Sequence, residues 1–241
     1  MIKLSLLLGT VAALADLAGG FVLVRAKGIQ KYLRYFVALG AGFLMATAVL
    51  EMLPESIAID PKLAPVLVMA GYCALHFLEH TIVAHFHFGE ETHAGEFVSA
   101  HTSYSVLGGL AVHALFDGVA IGSGFAINSM LGWLIFLAIL LHKAPEGFTM
   151  ASVMLASGAS RRMALYSAGA LSAATLLGVL VIESVPGLVR YGLPVSAGVA
   201  LYVAATDLVP EVNREPGIRM ALVFFAGVAG FFVLRMILPA I

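Results

Sequence analysis

Two short polar signatures, set in otherwise apolar sequence, hold the residues that could do chemistry. The first runs His113-Ala114-Leu115-Phe116-Asp117-Gly118-Val119-Ala120-Ile121-Gly122, the second His142-Lys143-Ala144-Pro145-Glu146-Gly147. Each sets a histidine four residues ahead of a carboxylate, His113 with Asp117 and His142 with Glu146. On a helix such residues share one face. Two such faces turned toward each other would present two imidazoles and two carboxylates. Neutral imidazole with carboxylate suits zinc and other first-row divalent ions, whereas all-oxygen shells favour calcium or magnesium. No cysteine joins the set, so it should hold an ion less stubbornly than a structural zinc site does.

The elements that must position these residues follow from composition. The chain has 241 residues, 61% hydrophobic and 11% charged, with a mean hydropathy of +1.01. That is an all-α polytopic membrane protein rather than a soluble domain. Apolar stretches of bilayer length are expected at 4–24, 33–56, 63–88, 103–126, 130–157, 164–184, 193–212 and 218–238, giving eight transmembrane helices in a single transmembrane domain over 1–241. The first is read as a span and not a signal peptide, because its apolar part is long and lacks a convincing cleavage site. The longest polar stretch, about 89–101, is a His- and acid-bearing loop. Net charge is −1 and no basic run or stacking motif occurs, so no nucleic-acid partner is expected. The lone Cys73 excludes an internal disulfide.

Basic residues orient the spans. With the N-terminus outside, inner loops hold Arg25, Lys27, Lys31, Arg34, Arg161, Arg162, Arg214 and Arg219, and outer ones hold Lys3, Lys62, Arg190 and Arg235. The positive-inside rule therefore favours both termini outside. An internal repeat links the second and seventh spans: Ala41-Gly42 through Glu51, Pro54 and Glu55 aligns without a gap on Ala197-Gly198 through Asp207, Pro210 and Glu211. The seventh span comes five after the second, an odd number, so the copies cross in opposite directions. Inverted repeats of this kind are a transporter signature, with the site expected between them near the midplane.

The fourth and fifth spans resemble those of the ZIP (Zrt/Irt-like) family of divalent metal transporters, which carry His-Asn-x-x-Asp/Glu-Gly-x-Ala-x-Gly and His-Glu/Asp-x-Pro-Glu-Gly. The resemblance covers the eight-span layout, the outward termini and the loop between spans three and four. It implies transport of a metal ion toward the cytoplasm by alternating access, with helices two, four, five and seven as the moving unit. It implies a divalent metal as substrate and no cofactor: zinc first, with iron, manganese, cadmium or cobalt as other candidates. A homodimer is suggested by resemblance alone, and the loop-poor chain suggests a prokaryotic cytoplasmic membrane.

Departures from the family pattern are as informative. Where many members hold a second metal, this chain has Ala114, Lys143 and, by alignment, Thr175. All three remove ligands, which predicts a single-metal site of His113, Asp117, His142 and Glu146. The Lys143 ammonium would then stand in for the second cation, paired to Asp117 or Glu146; the alternative is that it snorkels away.

Other polar residues receive separate readings. Pro145, Pro54 and Pro210 lack a donor N–H and free the carbonyls of Leu141, Leu50 and Thr206, which could bend each helix or line a hydrated cavity. Glu51 and Glu55, at the outer end of span two, and Asp207 and Glu211, at the inner end of span seven, read as pathway acids or as headgroup-level residues. Asp16 and Glu183 read as structural or interfacial. The third span and its loop supply His76, Glu79, His80, His85, His87 and His93 as auxiliary cytoplasmic-side contacts. His76-Phe77-Leu78-Glu79-His80 also matches the H-x-x-E-H pattern of inverted zinc peptidases, which sets up an intramembrane metalloenzyme as the rival reading.

Overall fold

Backbone polar groups inside a bilayer must be satisfied without water, and apolar runs of about 20 residues do this as helices. The computed structural model describes residues 3–25, 30–81, 100–214 and 218–238, and among them there are helices and no strands. We number the spans α1 (Leu4–Arg25), α2 (Tyr32–Ile59), α3 (Ala64–Thr81), α4 (Ala100–Ile127), α5 (Ser129–Ala156), α6 (Arg161–Ser184), α7 (Pro186–Arg214) and α8 (Ile218–Ile237). Seven are long and apolar enough to cross a membrane. The exception is α3, whose expected continuation to 88 lies outside the described residues, as do His85, His87, His93 and most of the 89–101 loop.

Turn signals in the sequence become caps. Asn128 accepts a hydrogen bond from the Leu131 amide at 2.8 Å and starts α5, and Ser160 accepts one from Met163 at 3.2 Å and starts α6. Three ion pairs, Lys3 with Glu183, Asp60 with Arg190 and Glu51 with Arg235, join residues expected at the same end of alternating spans. α5 is the most enclosed element, 78% of its apolar stretch being buried against 17% for α8.

Glycines set how closely the helices meet, and they do so in reciprocal pairs. A Cβ on Gly42 would fall 2.0 Å from the Phe224 carbonyl oxygen and one on Gly227 2.2 Å from that of Leu39, locking α2 to α8. The α3–α7 contact has the same form, with Gly71 2.2 Å from the Val195 oxygen and Gly198 1.9 Å from that of Val68. Gly42 and Gly198 are aligned positions of the repeat, so the two halves use one packing device twice. Around the centre, Gly118 and Gly178 join α4 to α6, and Gly19 and Gly147 join α1 to α5.

The repeat also shares a backbone irregularity. Just ahead of Pro54, α2 widens into a π-turn at Ala48–Met52, with the Leu53 amide donating to the Ala48 carbonyl. Ahead of Pro210, α7 does the same at Val203–Leu208, with the Val209 amide donating to Ala204. The widened turns hold Glu51 and Asp207. Hydroxyls bond backbone carbonyls at both places: Ser56 bonds the Met52 carbonyl at 2.7 Å and Thr206 that of Tyr202 at 2.6 Å. Pro145, by contrast, is accommodated within a continuous α-helix.

Candidate metal site

α4 and α5 bring His113, Asp117, His142 and Glu146 together at the centre of the bundle, all four buried. One ligand atom from each lies within 4.8 Å of all the others. Ligands of a tetrahedral zinc stand about 3.4 Å apart, so a small contraction closes the set on an ion. Among the described residues it is the one His/Cys/Asp/Glu group so arranged.

Asp117 Oδ2 is the shared atom. It lies 3.1 Å from His113 Nε2 and 3.3 Å from His142 Nε2. His142 Nδ1 is 2.9 Å from the Ala138 carbonyl. An N–H there donates to that oxygen and leaves the Nε2 lone pair aimed at the site, the tautomer a metal ligand needs. His113 Nε2 is 3.7 Å from Glu146 Oε2, yet neither ring nitrogen of His113 is aligned with a hydrogen-bond partner. Buried nitrogens and oxygens left without partners, including Glu146 Oε1, are costly and fit a donor set made for a cation.

Lys143 lies within this set and does not snorkel. Its side chain is fully buried, with Nζ 2.7 Å from Glu146 Oε2, 2.9 Å from Asp117 Oδ2 and 3.7 Å from Asp16 Oδ2. Asp16 is the residue the sequence reading missed. It is 0% exposed, and neither carboxylate oxygen has a hydrogen-bond partner. Its place follows from backbone approach: a Cβ on Gly147 would fall 1.9 Å from the Asp16 carbonyl oxygen, and one on Gly19 2.0 Å from that of Ala144. On the other side of the site Gly118 and Gly178 make the same contact, with Gly118 1.9 Å from the Thr175 oxygen. Thr175 thus occupies the place in α6 that Asp16 occupies in α1.

The remaining candidates lie apart from the four. Glu51 is mostly buried and pairs with Arg235 at 2.6 Å, and Glu55 is half-buried one turn on. Asp207 is buried, and Glu211 pairs with Arg214 at 3.3 Å. Glu183 receives Lys3 and Ser5. In α3, His76 and His80 stack on each other with ring centres 4.1 Å apart, and with Glu79 they form no metal-ligating group.

The family model described as ZIP Zinc transporter matches residues 89–235. The chain belongs to the ZIP family. Similar curated proteins include Zinc transporter ZIP9-A of Xenopus laevis, 29% identical over 155 residues, covering 59% of this chain and 50% of that protein. Zinc transporter zipt-7.1 of Caenorhabditis briggsae is 33% identical over 112 residues, 42% of this chain and 28% of that one. Zinc transporter SLC39A7 of Canis lupus familiaris is 33% identical over 137 residues, 52% of this chain and 29% of that one. The matches therefore span half or less of these relatives' length. ZIP proteins are transporters and not enzymes, so the metalloenzyme reading of His76, Glu79 and His80 is set aside.

Proposed function

We propose that the eight spans work as one transmembrane unit that moves a divalent transition metal, zinc first, toward the cytoplasm through a single-metal site of His113, Asp117, His142 and Glu146. The observation that carries this reading is the convergence of these four buried ligand atoms on one another at mid-span. Ionisable groups held there mark ion pathways by default. Lys143 supplies the positive charge that a second cation would bring: its ammonium contacts both Asp117 and Glu146. Glu51 and Glu55 receive the ion at one end, and Asp207 and Glu211 pass it on at the other, an assignment supported by their matching places beside the two π-turns. The π-turns lie in α2 and α7, two of the four helices expected to move against the rest. Basic-residue placement supports both termini outside, and the short connections fit a prokaryotic cytoplasmic membrane.

The test is uptake of zinc, cadmium, manganese, iron and cobalt into sealed proteoliposomes, comparing the wild-type chain with the His142→Ala/Glu146→Ala variant. Saturable uptake that the double variant loses is expected, with zinc taken up best. Equal uptake by both proteins would end this reading of the site.

A further inference from the structure

The two halves of the site are alike in their glycine contacts and in their His-carboxylate pairs, but they differ at two positions. Where α4 has Ala114, α5 has Lys143, and where α6 has Thr175, α1 has Asp16. The two departures touch: Lys143 Nζ is 3.7 Å from Asp16 Oδ2. A buried lysine and a buried aspartate thus stand together on one side of the site, and the other side has neither.

Metal binding at the four-residue site, the reading on which this inference rests, creates a conflict for Lys143. Asp117 Oδ2 faces both ligand nitrogens, and the ammonium is 2.9 Å from that same oxygen. A divalent ion bound there would lie within a few ångströms of a second positive charge in a poorly screened interior. The ammonium needs another acceptor, and a buried one, because Lys143 is fully enclosed. Asp16 meets each requirement. It is 0% exposed, both its oxygens lack hydrogen-bond partners, and the Gly19–Gly147 contact holds α1 hard against α5 beside Lys143. Formal charge agrees for the loaded site: with Asp16, Asp117 and Glu146 all as carboxylates, three negative charges balance one ammonium and one divalent cation, whereas without Asp16 the loaded site would carry a surplus positive charge.

We infer that Asp16 is a positioning residue for metal exchange: it receives the Lys143 ammonium when a divalent cation takes Asp117 and Glu146, and gives it back when the cation leaves. The ammonium then moves between two sets of acids, so that Asp117 and Glu146 face a cation in both states.

The experiment is a double-mutant cycle on zinc binding to the detergent-solubilised full chain, by equilibrium dialysis, with wild type, Asp16→Asn, Lys143→Met, the Asp16→Asn/Lys143→Met double variant and His142→Ala/Glu146→Ala. Asp16→Asn is expected to weaken zinc binding by about tenfold or more with Lys143 present, and by about threefold or less in the Lys143→Met background. Asp16→Glu should regain most of the loss. Equal losses in both backgrounds would make Asp16 a packing or background-charge residue and overturn the inference. Zinc binding that His142→Ala/Glu146→Ala abolishes and Asp16→Asn leaves unchanged overturns it as well, while leaving the proposed site intact. Zinc binding indifferent to His142→Ala/Glu146→Ala overturns both. Should Asp16→Asn fail to fold, the zinc-loaded wild-type structure decides: Nζ should lie within hydrogen-bonding distance of Asp16 and withdrawn from Asp117, and an ammonium still on Asp117 refutes the exchange.

Discussion

Lys143 and Glu146 lie one turn apart on α5, and the ammonium donates to Oε2 at 2.7 Å while both side chains are fully buried. Such a pair is held at a large desolvation cost, and removing one partner leaves the other charge stranded, at about 3–5 kcal/mol. Lys143→Met should therefore lower the thermal stability of the metal-free protein. Zinc should then stabilise the variant more than it stabilises wild type, because the ion meets unpaired carboxylates and displaces no ammonium. Thermal unfolding with and without zinc measures both effects. An equal zinc-induced rise in Tm for the two proteins would mean that Lys143 does not compete with the metal. Retention of one bound metal with unchanged uptake would count against its role as substitute cation.

The glycine contacts predict a pattern of stability effects with its own control. Gly118→Ala and Gly147→Ala each force a Cβ to within 1.9 Å of a backbone oxygen, of Thr175 and Asp16 respectively. Backbone cannot rotate aside as a flexible side chain can, so each should cost at least the 1–3 kcal/mol usual for overpacking. Gly108, in the same helix as Gly118, would have nothing within 4 Å of its Cβ, and Gly108→Ala should be neutral or slightly stabilising. If all three variants unfold at the same temperature, close helix approach is not what these glycines provide.

How far the site could be read in advance depended on where each partner lay in the chain. His113 with Asp117 and His142 with Glu146 were legible because helical spacing places both members on one face within a few residues. The aligned acids and prolines of α2 and α7 were legible for a similar reason, since a repeat needs only the sequence itself as reference. Asp16 was not, because its partner Lys143 is on a distant span and nothing within a turn of Asp16 is polar. One signal was available: Asp16 precedes Gly19 by the interval at which Thr175 precedes Gly178, which aligns α1 with α6 and puts the acid level with the site. Proline marked a freed carbonyl at three places, but not its outcome. Whether the helix widens into a π-turn, as before Pro54 and Pro210, or runs on, as at Pro145, depends on neighbouring helices and hydroxyls that spacing does not reveal. The side of the bundle on which Glu51 and Arg235 meet was implicit in the alternation of spans, but their pairing was not.

That pairing makes a kinetic prediction. Arg235 is 47% exposed at the end of α8, and its Nε is 2.6 Å from Glu51 Oε1. A partly solvated pair contributes under about 1 kcal/mol, so Arg235→Ala should leave Tm nearly unchanged. If Glu51 receives the incoming ion, freeing it of a competing cation should lower the KM for zinc by about threefold with kcat held, since nearby charge acts on capture before it acts on later steps. Glu51→Gln should raise KM by a similar factor. Uptake kinetics of both variants check this, and a KM that rises in Arg235→Ala would make the arginine part of the capture site instead.

The connection between α2 and α3 carries a pH dependence. Asp60 accepts hydrogen bonds from the Leu63 and Lys62 amides at 3.0 and 3.2 Å and an ion pair from Arg190. The Leu63 amide first, then the guanidinium, hold its carboxyl below the usual carboxylate range. A carboxyl whose pKa is lower folded than unfolded contributes stability that is fully present above the unfolded value, about 3.9. That contribution is lost as pH falls through the lower folded value. The tie between this connection and the start of α7 should therefore hold at neutral pH and loosen only in strong acid. Asp60→Asn keeps an acceptor oxygen for the amides but loses the charge, so its Tm should fall short of wild type by the same small amount from pH 8 to 5, the gap closing only below about pH 4. A gap that instead opens on acidification would have the sign wrong and would move the acid sensitivity of this end of the bundle to another group.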